Sequence, residues 1–238
     1  MTVALLTAAG VGSRMGQEIP KQFLHIYEKP VIIYTLERFE RNPQIDSICV
    51  VTLPDWFAFI KTYARQFGIT KLKWVVPGGA TGQESIKKGL FEIKKDIASD
   101  CVVMIHDGNR PMIDNDIISD SLSVFRKRGS AVAVIPCTEV VFKGQDGKES
   151  SMEIPREELW RTQTPHTYSL SKLLWACEQA EQKGLCGMAA MCQLMCKLGE
   201  VTYFSRGSEK NLKLTTMDDI DIFKALLTKE RNSWEKRS

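Results

Sequence analysis

Residues 3–16 read VALLTAAGVGSRMG, and PKQF follows at 20–23. Val3 to Leu6 is a short apolar run, the signature of a buried strand. Ala8-Ala9-Gly10 closes it, and Gly10, Gly12 and Gly16 space out the loop beyond. Glycines at such spacing let backbone N–H groups approach a phosphate without Cβ clashes. In open α/β sheets a loop of this kind lies at the carboxyl end of a strand, where ligands bind. It is not a P-loop, because no Gly-Lys-Ser/Thr follows. It is also a poor dinucleotide fingerprint, since Arg14 stands where that turn wants a small residue and Pro20 precedes any clean helix. Arg14 and Lys21 instead set two cations beside the loop, as a triphosphate requires. The plain alternative is a tight turn flanked by two solvated basic residues.

Further along the chain, Ile45–Thr52 (IDSICVVT), Leu72–Val76, Cys101–Ile105 and Ala131–Ile135 read as further strands. Helical periodicity fills about 30–40, 55–67, 83–95 and 116–128. Strands alternating with helices of this length predict a mostly parallel sheet covered on both faces, a Rossmann-like α/β fold. The alternation breaks at 137–163, a polar stretch with the turn signal Gln145-Asp146-Gly147. It is too long and too poor in core residues for a simple connection. It reads as a projecting β-arm at about 137–160, an ordinary surface hairpin being the alternative. Helices near 170–182 and 187–198, a strand at 201–204, an alternating segment at 211–215 and a helix near 217–228 complete a single domain over 1–238. The charged tail KERNSWEKRS is expected to fray.

The chain has 238 residues, 43% of them apolar and 26% charged, enough for a full core. A net charge of +3 is too small to argue for nucleic acid. Seven cysteines without a repeated spacing do not form a disulfide framework, and no histidine lies near Cys186, Cys192 and Cys196 to complete a zinc site. The apolar N-terminus is short and has no basic leader, so neither a signal peptide nor a membrane span is expected. With the free cysteines, this points to the cytoplasm.

Three other segments carry chemistry. His106-Asp107-Gly108-Asn109-Arg110-Pro111 ends the fourth strand, and a carboxylate there needs a partner. Asp107 is suited to a divalent metal or a substrate hydroxyl, and Arg110 to a phosphate or to Asp107 itself. Within GSEKNLKLTT (207–216), Asn211 and Lys213 share a face of an extended segment. Thr216 with Asp219 makes a capping pair for the last helix. Arg156 lies in the arm and the motif Thr162-Gln163-Thr164-Pro165 just after it, with Arg156 either a phosphate ligand or a surface charge.

AAGVGSRMG with PKQF, GGATGQESIKKGL (78–90), HDGNRP, TQTP and NLKLTT stand in one characteristic order. Over residues 2–228 the chain closely resembles the 2-C-methyl-D-erythritol 4-phosphate cytidylyltransferases and their relatives, the ribitol-5-phosphate cytidylyltransferases. The resemblance implies a nucleotidyltransferase domain whose β-arm interlocks with a second subunit in a homodimer. It implies that Ala8, Ala9, Gly10 and Gly12 wrap CTP, and that Gly79, Ala80 and Ser85 read the cytosine. Arg14, Lys21 and Lys213 become the catalytic cations. Asp107, Arg110, Arg156 and Thr164 become acceptor ligands, with Arg156 supplied by the partner. Magnesium is then held mainly by the CTP phosphates, with Asp107 a lesser candidate ligand.

Several positions depart from the family pattern. Gly82 replaces an arginine, Glu139-Val140 an Asp-Thr pair, and Ala189-Ala190 a Thr-Asp pair, while Lys210 replaces a small or acidic residue. Apart from Gly82 these lie on the polyol side, so the resemblance implies CMP transfer from CTP to a phosphorylated polyol with the acceptor left open. Methylerythritol phosphate, a pentitol or pentulose phosphate for a surface polysaccharide, and a non-catalytic nucleotide-binding homologue are the alternatives. An NAD-binding enzyme is disfavoured, because the second strand ends in Thr52-Leu53-Pro54-Asp55 and PKQF would be unexplained.

Overall fold

The computed structural model describes residues 1–10, 19–97 and 101–235. Its strands, in chain order, are β1 (Thr2–Ala8), β2 (His25–Ile26), β3 (Lys29–Pro30), β4 (Ser47–Thr52), β5 (Leu72–Pro77), β6 (Val102–Asp107), β7 (Ser130–Pro136), β8 (Val141–Phe142), β9 (Glu153–Ile154), β10 (Trp160–Ser169) and β11 (Phe204–Arg206). The helices are α1 (Val31–Arg41), α2 (Phe57–Gln66), α3 (Gly82–Asp96), α4 (Asn115–Arg128), α5 (Leu170–Gln182), α6 (Met191–Lys197) and α7 (Met217–Glu235).

Seven strands form one sheet in the order β11-β7-β10-β6-β1-β4-β5. All neighbours are parallel except β10, which runs antiparallel between β6 and β7. The chain builds outward from β1 through β4 to β5, then returns to the other side of β1 with β6. That reversal opens a crevice at the carboxyl ends of β1 and β6, where α/β sheets bind ligands.

Successive residues of β1 serve opposite faces of the sheet. Val3 and Leu5 pack with Leu90 and Ile93 of α3 and with Leu173 and Leu194 beyond. Ala4 and Leu6 pack with Ile32 and Leu36 of α1, Ile60 of α2 and Ile117 of α4. This is why the parallel strands carry near-continuous apolar runs. A third cluster joins Phe223 and Leu227 of α7 to Val31 and Ile26, so the last helix is docked against α1.

Local signals set the helix starts. Thr81 caps α3 by accepting from the Glu84 N–H at 3.1 Å, and Glu84 reaches back to the Ala80 N–H at 2.8 Å. Asp114 caps α4, which ends on Gly129 at φ 81°. The Thr216–Asp219 pair is reciprocal, as expected: the Asp219 N–H donates to Thr216 Oγ1 at 3.3 Å, and the Thr216 N–H to Asp219 Oδ2 at 2.7 Å.

The structure departs from the sequence reading in four places. β10 is a full strand of the main sheet, where the sequence reading assigned no strand directly after the arm. Its residues Gln163, Thr164, His166 and Thr167 are polar yet buried, a pattern that resembles neither an alternating nor an apolar strand. The last strand comes later, at Phe204–Arg206. Residues 211–215 form no strand, because they pair with the loop after β6 rather than with a sheet edge. The helix expected to end near 228 runs to Glu235. The stretch 137–159 leaves the sheet and bears the hairpin β8–β9, with Gly147 at φ 71° in its turn, and a 3-10 turn at Arg156–Glu158. It is exposed apart from partly buried Cys137, Val141, Ile154 and Leu159.

Gly89 marks where α3 lies closest to the sheet. A Cβ there would sit 2.8 Å from Leu5 Cδ1 and 2.8 Å from Val51 Cγ2. Gly89→Val is therefore expected to cost about 1–3 kcal/mol by overpacking. Urea unfolding of wild type and variant checks this, and an unchanged midpoint would contradict the packing described.

Candidate functional site

Four strand ends meet at the crevice. The Gly108 N–H donates to Thr7 O at 2.9 Å, the Gly78 N–H donates to Thr52 O at 2.8 Å, and Thr52 Oγ1 donates to Ala8 O at 3.2 Å. A Cβ on Gly78 would fall 2.4 Å from that of Ala9, so only glycine allows the β5–α3 loop to lie on the loop after β1. Gln22 is buried and donates to Ala8 O at 2.7 Å and Gly10 O at 3.0 Å. Phe23 stacks on Trp56 at 4.0 Å between ring centroids. The PKQF motif thus braces the glycine loop, a function the sequence reading did not assign to Gln22. Arg14 and Gly12 lie outside the described residues; Lys21 stands in the short 3-10 turn Lys21–Phe23 next to this brace.

Ser85, expected to read a base, is buried and used internally. Its hydroxyl donates to Thr81 O at 2.9 Å and accepts from the Gly79 N–H at 3.0 Å. Gly79 and Ala80 therefore present a backbone held in place from within, with the Ala80 N–H taken by Glu84.

Asp107 is the centre of charge. Its Oδ1 accepts from Lys213 Nζ at 3.0 Å and its Oδ2 from Arg110 Nε at 2.9 Å. The side chains of Asp107 and Arg110 are 16% and 11% exposed, and that of Lys213 is 43% exposed. Burial by itself raises the Asp107 carboxyl, but Lys213 and Arg110 outweigh it and hold the group well below the usual carboxylate range. The triad therefore carries one net positive charge and leaves Lys213 facing solvent. Such a cluster suits a multiply charged anion that can draw Lys213 or Arg110 from Asp107. Both carboxylate oxygens are occupied by cations, so a metal at Asp107 would compete with them. Among the described residues no group of three or more His, Cys, Asp or Glu side chains could hold a metal ion.

The segment 208–214 is clamped over the β6 loop. Asn109 Nδ2 donates to Leu214 O at 2.6 Å, the Leu214 N–H donates to Asn109 O at 2.9 Å, and Arg110 Nη1 donates to Asn211 O at 2.7 Å. Asn211 is fully buried, and its Nδ2 reaches Thr164 O at 2.8 Å and Gln163 Oε1 at 3.2 Å. Gln163 also exchanges hydrogen bonds with the Ser208 backbone. Asn211 and Lys213 thus both serve the site, but Asn211 does so by bracing it. Gln163 was legible only as part of TQTP, and its burial beside Asn211 gives it a role.

A bulge in β10 between Thr162 and His166 places Thr164 at the end of β6. Thr164 Oγ1 accepts from the Asp107 N–H at 3.1 Å and lies 3.0 Å from His106 Nδ1. Burial pushes His106 down to about 3 and His166 down to about 4, so both rings are neutral at pH 7. The structure thus brings Asp107, Arg110, Thr164 and Lys213 together. Arg156 stands apart in its contacts: it donates to Thr138 O at 3.1 Å and pairs with Glu157 at 3.5 Å, both within the stretch after β7.

The departing positions are also placed. A Cβ on Gly82 would meet nothing within 4 Å. Ala190 is the N-cap of α6 with no side-chain hydrogen bond, and the Ala189 N–H is taken by Gln193 Oε1 at 3.0 Å. Val140 is 58% exposed.

Comparison with known proteins gives the family. The family model for 2-C-methyl-D-erythritol 4-phosphate cytidylyltransferase (IspD) matches residues 2–229. The ribitol-5-phosphate cytidylyltransferase of Lacticaseibacillus paracasei is 42% identical over 229 residues, covering 95% of this chain and 98% of that protein. The 2-C-methyl-D-erythritol 4-phosphate cytidylyltransferase of Clostridium acetobutylicum is 35% identical over 232 residues, covering 96% of this chain and 98% of that protein. A crystal structure of 4-diphosphocytidyl-2C-methyl-D-erythritol synthase superposes with a TM-score of 0.79, covering 95% of this chain and 98% of that one at 23% identity, a likeness of fold.

The Asp107 triad has a pH signature. A carboxyl with a depressed folded-state pKa adds stability above its unfolded pKa of about 4 and loses it as pH falls below that value. Asp107→Asn is therefore expected to lower the urea midpoint at pH 7, and the gap to wild type to narrow at pH 3. A gap that stays constant or widens on acidification would contradict the pairing.

Proposed function

This chain belongs to the 2-C-methyl-D-erythritol 4-phosphate cytidylyltransferase family and is a cytidylyltransferase of that type; on that premise we propose that its acceptor is a pentitol phosphate of the ribitol 5-phosphate kind. The observation that carries the acceptor is the higher identity to a ribitol-5-phosphate enzyme, 42% against 35% for a methylerythritol phosphate enzyme, over nearly the whole chain. The alanines at 189 and 190 and the valine at 140 agree with it. They replace hydroxyl and carboxylate groups on the polyol side, where unpaired polar groups discriminate strongly between acceptors.

In this reading an oxygen of the acceptor phosphate attacks the α-phosphorus of CTP in line. One P–O bond forms, the bond to the β-phosphate oxygen breaks, and pyrophosphate leaves. The acceptor phosphate is already ionised near neutral pH, so no general base is needed. Catalysis is positioning and charge stabilisation. The loop from Ala8 to Gly12 wraps the triphosphate, while Arg14, Lys21 and Lys213 offset the charge that builds on the α-phosphate. Backbone groups at Gly79 and Ala80, held by Ser85 and Glu84, face the cytosine. Arg110 and Asp107 orient the acceptor, and Arg156 reaches it from a second copy.

Magnesium would be held mainly by the CTP phosphates and would supply further charge neutralisation; Asp107 would be the chain's lesser ligand, in competition with Lys213 and Arg110. The exposed Val140, Phe142 and Met152 support burial of the 137–160 stretch against a second copy of the chain. We place the enzyme in the cytoplasm. Seven cysteines without a disulfide suit a reducing compartment, and among the described residues no helix is long and apolar enough to cross a membrane.

Pyrophosphate release from CTP and magnesium tests the reading against ribitol 5-phosphate, pentulose phosphates and methylerythritol 4-phosphate. Ribitol 5-phosphate is expected to exceed methylerythritol phosphate in kcat/KM by roughly 100-fold or more. The reverse ranking would reassign the acceptor, and silence on every acceptor with CTP bound would point to a non-catalytic homologue. Lys213→Met is expected to lower kcat by about 100–1000-fold on the preferred acceptor while CTP still binds.

A further inference from the structure

We propose that His106 is a positioning residue of the transfer reaction: its imidazole fixes the direction of the Thr164 hydroxyl, and Thr164 in turn holds the backbone of Asp107. The inference rests on the cytidylyltransferase reading for its kinetic arm alone.

The hydrogen-bond directions follow from what each group can do. His106 is fully buried, and its Nε2 lies 3.2 Å from Arg110 O. A carbonyl only accepts, so Nε2 carries a proton. Among the described residues the carboxylate that acts on the ring is Asp107, and it is already paired with Lys213 and Arg110, so a second proton is not favoured. Nδ1 is therefore bare, and the contact at 3.0 Å is Thr164 O–H donating to Nδ1. The same hydroxyl oxygen accepts from the Asp107 N–H at 3.1 Å.

Two consequences follow. The hydroxyl proton of Thr164 points into the protein, so this side chain has nothing left to donate to a substrate phosphate. Thr164 is then not the phosphate ligand that the family resemblance implies. The imidazole instead ties both ends of the Asp107–Arg110 turn, at Arg110 O directly and at the Asp107 N–H through Thr164. That turn aims the carboxylate that holds Lys213. A small displacement of a charge-stabilising group is felt in kcat rather than in ground-state binding.

The test begins with the intact protein. Its three histidines are His25, His106 and His166, so a long-range nitrogen–proton correlation spectrum of the histidine-labelled full chain resolves each ring, with His106→Gln assigning the signal. A neutral His106 protonated on Nε2 is expected. A ring protonated on Nδ1, alone or with Nε2, overturns the proposal whatever the variants do.

Kinetics supply the second arm. An asparagine amide oxygen falls near the Nδ1 position, and a glutamine amide falls near Nε2. His106→Asn therefore keeps an acceptor for Thr164, and His106→Gln does not. His106→Gln and Thr164→Val are each expected to lower kcat about 10–100-fold with acceptor KM within about 3-fold, while His106→Asn and Thr164→Ser retain most of the activity. The double variant His106→Gln/Thr164→Val is expected to be no worse than either single one. Thr164→Val that raises acceptor KM at unchanged kcat would make Thr164 a direct phosphate ligand and overturn the proposal. A wild-type chain inactive on every acceptor would defeat the transferase reading and leave the histidine spectrum to decide this one.

Discussion

A carboxylate at the end of a buried strand must be paired or it destabilises the fold. Asp107 is that group here, and much of the carboxyl-end surface is organised around it. Lys213 and Arg110 neutralise it from two sides, at 3.0 and 2.9 Å. Gly108 lets the following turn press against Thr7, where a Cβ would lie 3.1 Å from the Thr7 carbonyl oxygen. Asn109 and Arg110 then clamp the segment 208–214, which leads into α7. The C-terminal segment from 208 onward is thus tied to the site by the requirement to keep one charge satisfied.

The other half of the crevice is held by neutral groups. Gln22, Thr52, Gly78 and Ser85 fix the loops after β1 and β5 through buried hydrogen bonds and a close backbone approach. Donors arranged in advance of binding need no reorganisation when charge develops on a bound phosphate. The two halves differ in kind. The neutral half is a frame, whereas the charged half holds its cations on an internal carboxylate that an incoming phosphate must displace. The positive charge is therefore present before substrate arrives but is not wasted as a buried, unpaired cation.

Much of the fold was legible in the chain. The helices expected at 30–40, 55–67, 83–95 and 116–128 correspond to α1 through α4 within a few residues, because their apolar periodicity is local, as are the caps of α3 and α4. β10 was not legible as a sheet strand. Within its centre, Gln163, Thr164 and Thr167 satisfy their polar side chains on partners far away in sequence, Ser208, His106 and Ser121, so no local pattern announces their burial. The strand near 204 and the segment 211–215 were misplaced for the same reason: what each pairs with is decided by tertiary neighbours.

The candidate site divides along the same line. The sequence by itself determined which chemistry was available: a glycine loop with flanking cations, an Asp-Arg turn at a strand end, and a lysine in an extended segment, each contiguous and each read from residue type and spacing. Only the tertiary structure decided how they combine. It brought Lys213 to Asp107 across 106 positions, turned Ser85 and Asn211 from expected ligands and neighbours into braces, and set His106 against Thr164. Hydrogen-bond direction and charge pairing depend on distances of about 3 Å between segments far apart in the chain, and such distances come into being only when the chain folds.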